Sequence, residues 1–237
     1  MKSYKETIDL QQSQIDAYLL ELAKEYKKEN RNATPVEMIL VGGASVLINF
    51  SFRSVTTDAD AYISSYSTMK GAIHRVAEKY NLSMEWLNDD FTKTASFSAR
   101  IREHSKHYKS FLGYLDVRTV TDEYLIAMKL MSGRVYKHDL SDVVGVLYEC
   151  HLKGYEISRD IIVKAVEDLY ESWDVLPKAS KDFIDEVFTH GATKEYFESI
   201  VNRESNNLEL LVEHISKGGE VKPSSNISEL LDAIKDK

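Results

Sequence analysis

Cysteine is almost absent from this chain of 237 residues. A single residue, Cys150, cannot close an intrachain disulfide, which excludes a disulfide-stapled fold and agrees with a reducing compartment. On an apolar helix a lone thiol reads as a packing residue rather than a nucleophile. Proline is scarce, three residues, and with 43% hydrophobic residues this excludes a collagen-like or disordered chain. No run approaches the roughly 18 apolar residues that a membrane helix needs, and Met1-Lys2-Ser3-Tyr4-Lys5-Glu6 has no signal-peptide core. The expectation is a cytoplasmic protein with no membrane partner. An excess of positive charge is also missing: the formal net charge is −8, so no global field draws nucleic acid. RNA contact would need a local basic patch, with candidates at Arg100, Arg102, Lys106 and Lys109, and at Lys129, Arg134 and Lys137. The histidines show no metal-ligand spacing, and His104 and His107 read as surface residues.

What is present is periodicity. Residues 7–28 place Ile8, Ile15, Leu19, Leu22 and Tyr26 at helical spacing, one apolar stripe against a core. Residues 36–41 form a β-prone run closed by Gly42-Gly43, residues 44–50 a short helix, and residues 58–63 a second strand. A helix over 68–80 follows, then strand candidates at 96–101 and 111–120. Beyond residue 121 helices dominate: 122–132, 139–149, 158–171, 181–190 with Ser180 as its cap, 193–217 and 227–235, the last reached through a flexible connection at Pro223-Ser224-Ser225. Domains commonly run to about 100–200 residues. The predicted class is therefore α+β: residues 1–35 supply a helix packing on the core, 36–120 a small mixed β-sheet core flanked by helices, and 121–237 a helical C-terminal region.

Asp58 and Asp60 stand two apart on the second strand, so both carboxylates leave the same face. Such oxygen ligands suit Mg²⁺ or Mn²⁺ holding substrate phosphates, although an Asp-x-Asp at a strand end is also ordinary turn chemistry. Gly42 and Gly43 sit between a strand and a helix, where bare amides and a helix N-terminus favour an anion, and Ser45 adds a hydroxyl. The plain alternative is a tight turn that needs glycine for its backbone alone. Lys129 is the one polar residue in the apolar stretch Tyr124 to Met131 and must either reach water or meet an anion. Arg134 and Lys137 suit a helix C-terminus, and Asp139 suits an N-cap with Asp142 three residues on.

The combination Leu40-Val41-Gly42-Gly43-Ala44-Ser45, then Arg53, Thr56 and Asp58-Ala59-Asp60, resembles the signature of the DNA polymerase β-like nucleotidyltransferase superfamily. Within it the chain is similar to the DUF6036 family, related to AbiEii-type toxins, through Trp86 and Asp89 and the stretch from Glu123 to Arg134 with Lys137, Asp139 and Asp142. The resemblance covers roughly residues 36–150 and makes 36–120 the nucleotidyltransferase core. It implies a nucleoside triphosphate substrate and Mg²⁺ or Mn²⁺ on Asp58 and Asp60. A third carboxylate is expected from a neighbouring strand, with Asp116 best placed. Phosphate-side contacts are implied from Gly42, Gly43, Ser45, Lys129 and Arg134, with Asp142 in the cleft. The acceptor stays open among RNA such as tRNA, a protein side chain and a small alcohol or amine. A toxin-type enzyme would have a cognate antitoxin as partner. The rival reading is a non-catalytic nucleotide-binding or protein-interaction module of the same fold.

Overall fold

The structure, a computed structural model, describes residues 9–30, 34–221 and 227–235. The connection expected at Pro223-Ser224-Ser225 and the first residues of the helix expected over 7–28 lie outside them. A short strand β1 (Leu10–Gln11) leads into α1 (Gln12–Glu29), then β2 (Val36–Leu40), α2 (Gly42–Asn49), β3 (Val55–Thr56), β4 (Ala59–Ile63) and α3 (Tyr66–Tyr80). Next come β5 (Leu87–Asn88), two short 3₁₀ turns (Asp90–Lys93 and Ala99–Arg102), β6 (Ser105–Phe111) and β7 (Leu115–Val120). The helices α4 (Asp122–Ser132), α5 (Asp139–Leu152), α6 (Arg159–Tyr170), α7 (Lys178–His190), α8 (Lys194–Ser216) and α9 (Ile227–Lys235) complete the described chain.

The five-stranded sheet has the order β5-β4-β2-β7-β6 and is mixed. Strand β2 runs parallel to β7 and antiparallel to β4, with Ile39 opposite Tyr62 on one side and beside Arg118 on the other. Strand alternation then divides the core in two. Met38, Leu40, Ala61, Ile63 and Val117 face α1 and α3, where Leu19, Leu22, Met69 and Ile73 are buried. Ile39, Val41 and Val120 face the opposite way, into the cluster built by α4, α5 and α6. Full burial of a side chain such as Leu22 is worth about 1.5–3 kcal/mol, so the apolar stripe read in α1 is what fastens that helix to the sheet. No helix among the described residues is long and apolar enough to cross a membrane. Cys150 is buried and free, and burial pushes its thiol up to about 11, which suits packing rather than nucleophilic chemistry.

Residues 96–101 do not form the expected strand. The Ser98 hydroxyl accepts from the amide of Arg100 and starts a 3₁₀ turn, a local hydrogen bond that competes with sheet pairing. The strand that completes the sheet is β6, a hairpin partner of β7 joined through Leu112 and Gly113, both at positive φ as such a tight turn requires. Helix α7 starts after Pro177, two residues before the expected Ser180 cap; Ser180 is buried in its first turn, against the end of α4 at Gly133.

Candidate active site

Gly42 follows β2 directly and holds a positive φ of 54°, a conformation that costs glycine least. The chain turns there into α2, whose N-cap, Val41, offers no side-chain acceptor. The first amides of α2 therefore have no side-chain cap to receive them. Strand β4 returns beside β2, and the amide of Val41 donates to the carbonyl of Asp60 at 3.0 Å. This pairing sets Asp60 next to the glycine turn: a Cβ on Gly42 would stand 3.5 Å from its Oδ2. Asp58 and Asp60 line the same cleft. Burial raises the Asp60 carboxyl above its usual range and the negative charge of Asp58 adds to the effect, against the opposing pull of Arg134, Lys129 and Lys137.

Across the cleft, α4 and α5 contribute a buried charge network. Lys129 sits in an apolar helix and meets an anion, but an internal one: its Nζ donates to Asp139 Oδ1 at 3.0 Å and lies 2.6 Å from Asp142 Oδ2. Burial works against its charge, yet Asp142 and Asp139 hold its pKa above the ordinary value. Asp139 is not the N-cap of α5; His138 holds that place, and the Asp139 carboxylate instead accepts from Arg134 Nε at 2.7 Å and Nη2 at 3.0 Å. Burial would raise Asp139, but Lys129 and Arg134 outweigh it and hold the carboxyl far below its usual range. Asp142 is likewise buried and accepts from Arg53 Nη1 at 3.2 and 2.8 Å. Three cations, Arg53, Lys129 and Arg134, thus face two carboxylates.

The cleft has two lobes, of about 460 Å³ and about 370 Å³, which share Gly42, Asp58, Asp60, Lys129, Arg134, Lys137 and Asp139. The larger is walled by Phe91, Leu125, Met128 and Met131 with the hydroxyl residues Thr94 and Ser96. The smaller is walled by Thr57, Tyr136 and His138 and by Glu204, Ser205 and Leu208 of α8.

Three residues expected at the site are placed otherwise. Asp116 pairs in register with Glu37, whereas the β7 residue at the glycine end of the sheet is Val120, next after the Leu40–Thr119 pair. At about 3.3 Å per residue, four residues of strand set Asp116 roughly 13 Å from that end. Its carboxylate accepts from Ser110 at 2.7 Å and faces His107, and it lines neither lobe. Ser45 is fully buried one turn into α2, with Asn49 Nδ2 at 3.4 Å from its hydroxyl. Asp142 supports Lys129 and Arg53 from behind and reaches neither lobe. Gly43 lines the smaller lobe, but Thr56 and Arg53 pack so closely that an added Cβ would stand 2.6 Å from Thr56 Oγ1. Its glycine is needed for that approach.

Glu204 was not anticipated, although a signal exists: Ile200, Glu204, Asn207 and Leu211 form the buried stripe of α8, with polar residues at two core positions. The Glu204 carboxylate accepts from the amide of Leu140 at 2.8 Å and caps α5, while Asn207 donates to the carbonyl of Val135 at 2.8 Å. Burial pushes Glu204 up to about 7, with Asp142 adding to the rise against its hydrogen bonds from Ser141 and Leu140. A carboxyl raised on folding contributes stability that is complete below its unfolded pKa and lost as pH rises through its folded one. Between pH 5 and pH 8 the wild type should therefore lose roughly 3 kcal/mol that Glu204→Gln does not lose. Denaturant melts of both proteins at several pH values check this, and parallel pH profiles would contradict it.

Among the described residues no group of three or more His, Cys, Asp or Glu side chains is placed to hold an ion. Two carboxylates in one cleft still fit Mg²⁺ or Mn²⁺, because such ions are commonly held by one or two carboxylates together with substrate phosphates and water. The repulsion between Asp58 and Asp60 is what a cation would relieve. In comparison with known proteins, the model of a family described as "Nucleotidyltransferase of unknown function (DUF6036)" matches residues 17–174, more than half of the chain. No curated protein and no solved structure matches.

Proposed function

The chain belongs to the DUF6036 nucleotidyltransferase family, and from that premise we propose that it moves a nucleoside monophosphate from a nucleoside triphosphate to an acceptor in the Asp58/Asp60 cleft. The observation that carries the reading is one of juxtaposition. Two carboxylates, the uncapped start of α2 and the cations Arg134 and Lys137 converge on one cavity. The order of strand, glycine turn, helix and acidic strand supports kinship with the DNA polymerase β-like superfamily.

Mg²⁺ or Mn²⁺ held by Asp58 and Asp60 would supply neutralisation of phosphate charge. The chain does the rest. Helix α2 offers amides and its positive end to the phosphates at Gly42. Among the described residues Lys137 makes no ion pair with a carboxylate, and Arg134 keeps Nη1 free of the hydrogen bonds its Nε and Nη2 make to Asp139. These two cations can stabilise charge that grows on the phosphates. Lys129 and Arg53 hold α5 and the β3 region in place through Asp139 and Asp142 rather than reaching outward. The larger lobe, with its sulfur and ring surfaces beside the hydroxyl residues Thr94, Ser96 and Ser132, suits a flat base and a ribose.

Labelled nucleoside triphosphates, each incubated with Mg²⁺ and a cell extract, should yield a labelled product that disappears with EDTA. Val120, standing where a third carboxylate would be expected, favours one rival, a nucleotide-sensing module. Tight triphosphate binding with no product from any fraction would decide for that rival.

A further inference from the structure

A transfer reaction brings two substrates to one phosphorus, and this cleft has a second lobe that the nucleotide does not need. Resting on the reading above, we infer that the smaller lobe, walled by α8, is the acceptor subsite, and that it takes a small alcohol or amine without phosphate groups rather than a polynucleotide.

The charge of this lobe selects the acceptor. Among the described residues Arg53 is the only arginine or lysine in its wall that the larger lobe does not share, and its donors are engaged: Nη1 with Asp142, Nε with the carbonyl of Val55 at 3.1 Å, and Nη2 with Thr56 at 3.5 Å. His138 is held towards its neutral form by burial and by Arg53, against the weaker pull of Asp142. Lys137 and Arg134 lie where the lobes meet and face the nucleotide's own phosphates. Among the described residues, a second polyanion would find no free cation in this lobe beyond those that face the nucleotide. Hydrogen-bond groups remain, in Thr57, Tyr136 and Ser205, and these fit a molecule rich in hydroxyl or amine groups. Its volume, about 370 Å³, admits one of nucleoside size or less.

The protein surface argues the same way. Polynucleotides bind through cations that replace phosphate counterions, yet the patch read around residues 100–109 is neutralised pair by pair. Arg102 meets Glu37 at 2.8 Å, Lys106 meets Asp122 at 3.0 Å, Lys109 meets Asp16 at 2.7 Å, and Arg100 faces Glu171 at 3.8 Å.

In the step itself, an acceptor oxygen or nitrogen forms a bond to the α-phosphorus as the bond from that phosphorus to the bridging oxygen breaks. Pyrophosphate leaves with the electron pair, and the acceptor's proton passes to water. Helix α8 lies outside the stretch matched by the family model, so the acceptor would be read by a part of the chain that the shared core does not include.

Ser205 is exposed, so a large side chain there fills the lobe without entering the core. The test compares wild type, Ser205→Trp and, in the larger lobe, Met131→Trp. Each is assayed for binding of the four nucleoside triphosphates with Mg²⁺, and for transfer of label to a deproteinised small-molecule extract and to total RNA. Wild type should label a small molecule and not RNA. Ser205→Trp should keep triphosphate affinity within about twofold while transfer falls by about tenfold or more, and Met131→Trp should weaken the triphosphate itself. Label in RNA overturns the inference. So does a Ser205→Trp variant that loses triphosphate affinity as far as it loses transfer, since the lobe would then hold the donor. Triphosphate binding without any product overturns it as well. A wild type that binds no triphosphate refutes the nucleotidyltransferase reading itself, and the acceptor subsite with it.

Discussion

Asp58→Asn and Asp60→Asn should each lower nucleotidyl transfer by about 10²–10³-fold, and the double variant should be little worse than the more damaging single one. The size follows from what one preorganised electrostatic group is worth to a transition state that gathers charge. The near-equality of single and double variants follows if the two carboxylates act as one unit. Asn keeps the shape of Asp, so the fold has no reason to suffer. The burial cost of the Asp60 charge and its repulsion from Asp58, which together raise that carboxyl, would also be relieved, and the melting temperature without ligand should hold or rise. In the presence of a triphosphate, Mg²⁺ should raise the melting temperature of wild type and not of the double variant, because a ligand stabilises only the state that binds it. Single-turnover rates and melts with and without Mg²⁺ measure both. Transfer within about tenfold of wild type would place the chemistry elsewhere.

The parts of this site that could be read in the sequence are those set by local spacing. Two aspartates at period two, Asp60 on β4 and Asp58 just before its first residue, next to a glycine turn, lie together because β4 folds back on β2, and the amide of Val41 finds the carbonyl of Asp60. Helical stripes such as that of α1 were legible for the same reason. What escaped depends on register and on distant partners. Asp116 has the right alternation within β7, but only the pairing of β7 with β2 reveals that it lies at the far end of the sheet. Strand β6 has no apolar alternation because it is an edge, exposed over most of its length. Ser45 is hidden because α2 starts at Gly42, which carries the hydroxyl past the turn and into the core. Lys129 reads from the sequence as a cation that must either reach water or meet an anion, and nothing in its neighbourhood shows that Asp139 and Asp142 both turn towards it.

The largest stability effect should come from that lysine. Lys129→Met preserves the apolar volume of the helix but leaves Asp139 and Asp142 buried with Arg134 and Arg53 as their remaining partners. Removing one member of a buried ionic network typically costs about 3–5 kcal/mol, since the groups left behind have lost their hydration without compensation. For a chain of this size that is on the order of 10 °C in melting temperature. The sign of the pH dependence follows from Asp139. In wild type its carboxyl is depressed by Lys129 and Arg134 against burial, so its contribution is present above the ordinary carboxylate range and is lost only under strong acid. In Lys129→Met part of that depression is gone, and protonation in acid relieves the buried charge. The gap between the two proteins should therefore be widest near neutral pH and narrow as the pH falls towards about 4. Adding Asp142→Asn to Lys129→Met should recover part of the loss, because the carboxylate left behind is then neutral. Denaturant melts of the three proteins between pH 4 and pH 8 measure all of this. A Lys129→Met variant within about 1 kcal/mol of wild type would show that Arg53 and Arg134 suffice. Lys129 would then be free to serve the phosphates after all.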